Sequence, residues 1–526
     1  MKEINESKPI VIIGAGTIGL MLAHELVLRG KRIIIVEAGN ETFDFFNSSE
    51  YKSIGKAHAG VQYGRVKGVG GTSNLWGGQL TEFISNDIEN NIAYQQPKWP
   101  IEWNVIQKYY EKVYEKLGFT SQVPFNPQTL IQDENSDNSL EIFCSRWIKN
   151  PNFKFQYWEF LQKSELVKIS TNSVVVGLEF ENTRCNSILY SKNGEIIELK
   201  DFEDIILANG TIEIIRLLLH CASTKKAIPF ADNKNIGTYF QDHLNFKVGE
   251  IEKPSKLFLS KFSNFFENSE KLQPKLRLNP KGNNKMNYLG VCGFFSYESN
   301  MSEHIHMFKQ FAKSLLGQSK QRLKFIELFR MFFKLIPALP QIMMLVFNYL
   351  KNNKIYVPFN SKVKVIINTQ QISIKQSRVI ISDSEFDKFG LPKVLVDWQI
   401  DGREIEGIRE FCNLLYAYLE KNKLGNFKLD DWFLKTNNEN NNNWLAEISD
   451  VYHQAGGTIM SNSKEDGVVD ENLKVYGTNN LFICGSAVMP TSSYGNITLT
   501  ALALSLRLAD FLTDTKSNKK CPAEIE

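Results

Sequence analysis

The chain has 526 residues, which leaves room for two or more domains and for a full-sized core. Hydrophobic residues make up 43% and charged residues 23%, the balance of a soluble globular protein. The formal charge of +3 is small for this length; it argues for neither a nucleic-acid partner nor a strongly anionic one, and no nucleic-acid partner is expected.

The first residues, MKEINESKP, are polar and carry two acids. They do not read as a signal peptide, and a cytoplasmic location is expected. The apolar run Ile10 to Ile13 predicts a buried parallel strand. Gly14-Ala15-Gly16-Thr17-Ile18-Gly19 then fits GxGxxG, and Leu20, Ala23, Leu26 and Val27 follow at helical spacing. Gly14 allows the tight turn, Gly16 lets a pyrophosphate approach the backbone, and Gly19 lets the helix pack on the strand. Thr17 and Ile18 open the helix, where N–H groups and the dipole favour phosphate. A second strand, Arg32 to Val36, ends at Glu37, 18 residues after Gly19 and well spaced to accept a ribose hydroxyl. The acid favours FAD or NAD over NADP. The competing reading is a glycine-rich turn in some other α/β sheet.

The next motif is GRVKGVGGTSNLWGGQL, residues 64–80, with six glycines, too many for a helix or strand interior. A flexible surface loop is one reading. The interleaved Trp76 and the Thr72-Ser73-Asn74 cluster suit instead a loop whose N–H groups press on a flat, electron-rich ring. The pair of motifs GAGTIG and GGTSNLWGG resembles the glucose–methanol–choline (GMC) family of flavin oxidoreductases. The resemblance implies that Gly71, Thr72, Ser73, Asn74, Trp76 and Gly77 lie against the isoalloxazine of FAD. In the pyranose-oxidase branch a histidine before the tryptophan links covalently to the flavin. Leu75 stands there in this sequence, so non-covalent FAD is expected.

Residues 85–159, with Trp99, Trp103 and a predicted helix over Asn104 to Leu117, are read as a lobe covering the cofactor. Val175, in the β-branched run 174–176, falls where the family contacts the adenine. Residues 204–221, DIILANGTIEIIRLLLHC, predict a strand, a turn at Gly210 and a helix, and resemble the family's closing element. NIGTYFQDH, residues 235–243, resembles the segment leading away from it; His243 is read as structural rather than catalytic. Beyond residue 246 the glycine motifs stop. Strands over Val363 to Ile367, Arg378 to Ser382 and Lys393 to Trp398 suggest a sheet roofing a substrate cavity. Residues 377–398 resemble bacterial family members acting on sugars or other alcohols. Phe325 to Leu350 has the length of a span but contains Arg330, Lys334, Pro337 and Pro340. It is read as a pair of buried or packing helices in preference to a membrane-surface element. Asn437 to Asn443 reads as an exposed low-complexity loop.

The C-terminal block predicts a buried strand, Leu481 to Cys484, and a long helix, Thr498 to Leu512. Gly485 and Ser486 end the strand, placed for the cofactor's phosphates or ribityl chain. Oxidising an alcohol removes a hydroxyl proton and a carbon-bound hydride; FAD takes the hydride, and histidine is the usual base. The other histidines, His24, His58, His220, His243, His304 and His306, lack a glycine turn beside the flavin block; His453 has one. The GMC resemblance places the family's histidine at His453 and its histidine-or-asparagine at Asn496. His453 is therefore read as base and Asn496 as its hydrogen-bonding partner; the competing reading of His453 is a flavin-packing residue. Ile497 replaces a common proline, so a backbone N–H is gained beside Asn496 and Thr498, all three expected at the flavin. The seven cysteines, odd in number and without CxxC, read as buried thiols.

The expectation is an α/β fold with a Rossmann-like FAD-binding domain of GMC type, built from residues 1–84, 160–245 and 445–515. A substrate domain, 246–444, would rest on a mostly antiparallel sheet. The function expected is FAD-dependent oxidation of a sugar, polyol or other alcohol, nearer the pyranose-oxidase-like or bacterial sugar-type branch, with an unknown electron acceptor. A redox-neutral lyase or isomerase and an enzyme for a lipid- or carrier-linked substrate are the alternatives. Attachment to a membrane would run through 325–350. No metal is expected.

Overall fold

A computed structural model describes residues 8–89, 94–119, 139–225, 227–279, 289–299, 307–308, 310–311, 325–439 and 443–517. The cofactor domain is built on a five-stranded parallel sheet. Its order is Leu481–Ile483, Ile205–Leu207, Ile10–Ile13, Ile33–Val36 and Val167–Ser170. The three middle strands are almost unbroken Ile, Leu and Val because helices and loops cover both faces. The five strands come from three separated stretches of chain, residues 10–36, 167–207 and 481–483. Their carboxyl ends converge where the glycine turns lie, the ligand-binding edge of an open parallel sheet.

The second sheet is antiparallel and has eight strands. Along its path run Asn426–Leu429, Leu244–Glu252, Lys362–Thr369, Val291–Glu298, Glu270–Leu278, Leu140–Trp147 and Gln79–Leu80, with Phe265–Glu267 pairing beside Glu270–Leu278. It recruits strands from outside residues 246–444. Leu140–Trp147 belongs to it, so the stretch 85–159 is not one separate lobe. The helix Trp103–Lys116 lies instead on the back of the long helix Thr498–Ser517. Tyr110 and Thr500 share a 2.7 Å hydrogen bond there, and Tyr109 donates to Asp510 at 2.7 Å.

Two of the three expected roof strands sit elsewhere. Only Lys362–Thr369 joins the large sheet. Arg378–Phe386 and Pro392–Asp397 form a small sheet with Tyr51–Ser53, and the turn at Gly390 brings Phe389 and Leu391 to the cofactor cavity. The asparagine run also departs from expectation: Asn437 to Glu439 end the helix Asp431–Glu439, and residues 440–442 lie outside the described residues. Six cysteines are buried and free, and Cys521 lies outside the described residues.

The stretch 325–350 forms two helices, Phe325–Leu335 and Leu339–Asn352, joined by a 3-10 turn at Ile336–Ala338. They are the expected pair of helices and pack through Leu335, Ala338 and Ile342, but they are not buried. Most of their large apolar side chains face outward.

Candidate active site

Sterics fix the glycine turn. Gly14 has φ +102°, and a Cβ there would sit 2.7 Å from the Ala208 carbonyl oxygen. At Gly19 a Cβ would meet the Gly14 carbonyl oxygen at 2.0 Å, so the helix closes on the turn only because Gly19 lacks a side chain. The second glycine loop closes on the first. Gly70 N–H donates to Ala15 O at 2.8 Å, and Gly71 lies so near Gly16 that a Cβ would approach its Cα to 2.8 Å. Glu37 clamps this assembly. Its carboxylate accepts from Ala15 N (2.7 Å), Gly39 N (2.8 Å) and Gly68 N (2.9 Å) while still lining the cavity.

The cavity runs along the carboxyl edge of the parallel sheet. Of the expected cofactor residues, Gly14, Gly16, Thr17, Ile18, Glu37, Gly71, Thr72, Val175, Gly210, Ser486, Ile497 and Thr498 line it, as does His453. Gly19, Ser73, Asn74, Trp76, Gly77, Gly485 and Asn496 do not. Ser73 and Asn74 spend their side chains on the loop itself, through Gly70 O, Val69 O and Gly71 O, and on Phe153 N and Asn152. Trp76 donates to Pro151 O at 2.7 Å. These three hold the loop in shape.

The backbone cradle fits a dinucleotide. A Cβ built on Gly210 would have nothing within 4 Å, and one on Gly16 only Gly71 Cα, at 3.9 Å. The helix Thr17–Leu28 has neither a side-chain cap nor an acid in its first turn, so its N–H groups are open to an anion. Leu75, beside Trp76 in the second glycine loop, offers no nucleophile to a bound flavin. Acid precipitation of the purified protein should therefore release all of the flavin into the supernatant; yellow colour retained in the washed pellet would contradict this.

Where His453 borders the cavity, five residues form one chain of hydrogen bonds. His243 is fully buried, and its Nε2 lies 3.0 Å from the Ser492 carbonyl oxygen. A carbonyl only accepts, so Nε2 carries the proton. Burial pushes the His243 pKa down, which keeps the ring neutral, and its Nδ1 is then an acceptor. His453 Nδ1 lies 3.0 Å away and must donate to it. The lone pair of His453 is thus on Nε2, 3.2 Å from Asn496 Nδ2. Asn496 Oδ1 accepts from Thr81 Oγ1 at 3.3 Å, so its amide hydrogens face the histidine. Burial pushes the His453 pKa down to about 3, His243 adds to this, and Asp242 opposes it. The ring is a neutral acceptor at ordinary pH.

Asp242 anchors His453 from behind. Its carboxylate accepts from His453 N (2.9 Å) and His243 N (2.7 Å). Burial opposes its charge, but the hydrogen bond and field of His58, with the fields of His453 and His243, hold its pKa below the usual carboxylate value. His58 itself lies 3.2 Å from Asp242 and 3.4 Å from Asp450, with its ring edge-on to Trp398. Lys275, buried in the large sheet, acts electrostatically on both His243 and His453.

Sequence reasoning missed Asp242 and His58, and it read His243 as structural without its bond to His453. The available signal was the Asp242-His243 dipeptide, an acid beside a histidine in a segment already tied to the cofactor domain. It also missed the cavity's charged wall. There Tyr51 donates to Glu213 (2.7 Å), Arg65 pairs with Glu213 (3.2 Å), and Arg216 pairs with Asp387 (2.9 Å). His304 and His306 lie outside the described residues.

A parallel sheet with an open pyrophosphate cradle, and a histidine–asparagine pair at its far end, is the layout of a flavin-dependent oxidoreductase. Comparison with known proteins agrees. Residues 374–505 match the family model described as GMC oxidoreductase. The chain is 21% identical to the fructose dehydrogenase large subunit of Gluconobacter japonicus, over 97% of this chain and 98% of that protein. In fold it resembles a FAD-dependent oxidoreductase from Chaetomium thermophilum (TM-score 0.58, 15% identity, 98% of this chain and 100% of that one). It likewise resembles pyridoxine 4-oxidase from Mesorbium loti (TM-score 0.56, 14% identity, 96% and 99%). Residues 374–505 thus carry a GMC oxidoreductase C-terminal region, and the chain as a whole has the fold of FAD-dependent oxidoreductases.

Proposed function

We propose that the enzyme oxidises a CH–OH group of a sugar, polyol or related alcohol to the carbonyl, with His453 as base and Asn496 as its partner. The observation that carries this is the 3.2 Å pairing of His453 Nε2, a neutral acceptor, with the Asn496 amide. A hydroxyl oxygen about 3 Å from both atoms gives its proton to His453 and accepts from Asn496 as negative charge grows on it. Bound FAD supplies the hydride acceptor. Gly14, Gly16, Thr17 and Ile18 would hold its pyrophosphate, Val175 its adenine, and Ser486, Ile497 and Thr498 the flavin end. The proton on His453 Nε2 is stabilised through Nδ1–H and His243, with Asp242 supplying negative charge close by.

A sugar is supported by the resemblance of residues 377–398 to sugar-type members and by the fructose dehydrogenase relative. The test is anaerobic mixing of the holoenzyme with a panel of sugars, polyols and aryl and alkyl alcohols. Loss of flavin absorbance is expected with one sugar or polyol class, and admitting air then shows whether oxygen is the acceptor. Full reduction by alkyl or aryl alcohols alone would overturn the sugar assignment. Product formed with no acceptor consumed would overturn oxidation itself.

A further inference from the structure

We propose that residues 325–352 are the surface by which this protein docks on an anionic lipid bilayer. Ile326, Phe329, Phe333, Ile336, Leu339, Met343, Phe347 and Leu350 recur every three or four residues, so they share one stripe running through both helices and the turn between them. All are exposed, Met343 at 69%, Phe347 at 54% and Leu350 at 74%. A stripe of this extent on a protein surface marks a contact surface for something apolar.

Other residues of the same segment face the protein. Leu335, Ala338 and Ile342 are buried together against Met307, Phe308 and Phe311. The carboxyl end is stitched to the body: Phe266 N donates to Asn353 O (2.6 Å), Ile355 N to Asn264 O (2.8 Å), and the Tyr349 and Phe266 rings meet edge-on. By length and hydropathy, Phe329–Asn352 is long and apolar enough to cross a membrane. A crossing would strip this middle packing and pull Asn353 from its partner strand. The 3-10 turn, with Pro337 and Pro340, also divides the segment into helices of 11 and 14 residues. At 1.5 Å per residue each falls short of the ~30 Å hydrocarbon core. The segment lies on a bilayer and does not pass through it.

Charge identifies the occupant. Arg330 and Lys334 are exposed beside the stripe, and Lys351 and Lys354 follow at its end, against the single acid Glu327. The preceding sequence adds Lys309, Lys313, Lys320, Arg322 and Lys324 with no acid. Residues 309–354 thus hold nine cations and one anion, +8, in a chain whose total is +3. A second copy of this surface would bring like charges together. Anionic headgroups beside an apolar interior complement both the cations and the stripe.

The experiment is flotation of the FAD-loaded protein with phosphatidylcholine vesicles, and with vesicles of equal parts phosphatidylcholine and phosphatidylglycerol. Most of the protein should float with the anionic vesicles and little with the neutral ones, and added salt should weaken the binding. The triple variant Met343→Ser, Phe347→Ser, Leu350→Ser should keep its flavin and its activity on a soluble substrate, and bind at least about tenfold more weakly. Arg330→Glu with Lys334→Glu should lose the preference for anionic vesicles. No flotation of the native protein, or undiminished flotation of the triple variant, overturns the proposal. So does a dimer that the triple variant dissolves, since the stripe is then covered by a second copy. Release from cell membranes by detergent but not by high salt or alkaline carbonate would show a span instead.

Discussion

Replacing His453 by alanine is expected to slow flavin reduction by roughly 10²–10⁴ while FAD still binds. The variant removes Nε2, the acceptor facing Asn496, and leaves the glycine cradle at the other end of the cavity untouched. Anaerobic stopped-flow against the best substrate of the panel measures the rate, and the visible spectrum measures the bound flavin. Undiminished reduction would remove His453 as base; a colourless protein would make it a flavin-packing residue. The pH profile of the native enzyme is an independent check. Only neutral His453 accepts a proton, and its pKa is pushed down to about 3. As pH falls from 7 to 5 the ring stays neutral, so the rate of reduction stays flat. A freely solvated histidine would lose activity around pH 6.5. A fall centred there would show that the base is not held in this buried hydrogen-bonded chain.

The parts of this enzyme readable from sequence are those where local sterics allow few residue types. The GAGTIG turn is one, because backbone contacts of 2.0 and 2.7 Å forbid a Cβ at Gly19 and Gly14. The parallel strands are another, because burial on both faces demands unbroken apolar runs. His453 and Asn496 stand 43 residues apart in the chain yet meet at 3.2 Å, and the family motif around each points to them. Partners made only by tertiary contact were hidden. His243 reaches His453 across 210 residues, and His58 reaches Asp242 across the domain; neither leaves a periodic trace. Strand identity was legible and strand partnership was not. Pro392–Asp397 alternates as a half-buried strand should, but nothing in that pattern tells of its pairing with Tyr51–Ser53. The outward stripe on 325–350 and an inward one carry the same period, so apolar spacing did not reveal which side faced solvent. Whole-chain charge likewise averaged away the excess of lysine and arginine in the sequence over residues 309–354.

His243→Leu is expected to lower the rate of reduction by about 10²-fold or more, although residue 243 does not line the cavity. The argument rests on tautomers. Ser492 O forces the proton of His243 onto Nε2, and His243 Nδ1 in turn forces a proton onto His453 Nδ1. Leucine takes away that acceptor. His453 then either buries an unpaired Nδ1–H, at a cost of about 1–3 kcal/mol, or moves its proton to Nε2, where it cannot accept another. Either course weakens the base, so kcat should fall with little change in KM or in flavin content. His243→Asn is the discriminating variant. Its side-chain carbonyl can accept from His453 Nδ1 and should restore much of the lost rate, whereas a purely space-filling role would favour leucine. Both variants also remove a contribution that holds the His453 pKa down, so the acid limb of the asparagine variant should move up toward neutrality. A leucine variant with the native rate would show that the tautomer of His453 is set elsewhere. An asparagine variant as slow as leucine, with its acid limb unmoved, would reduce His243 to a packing residue.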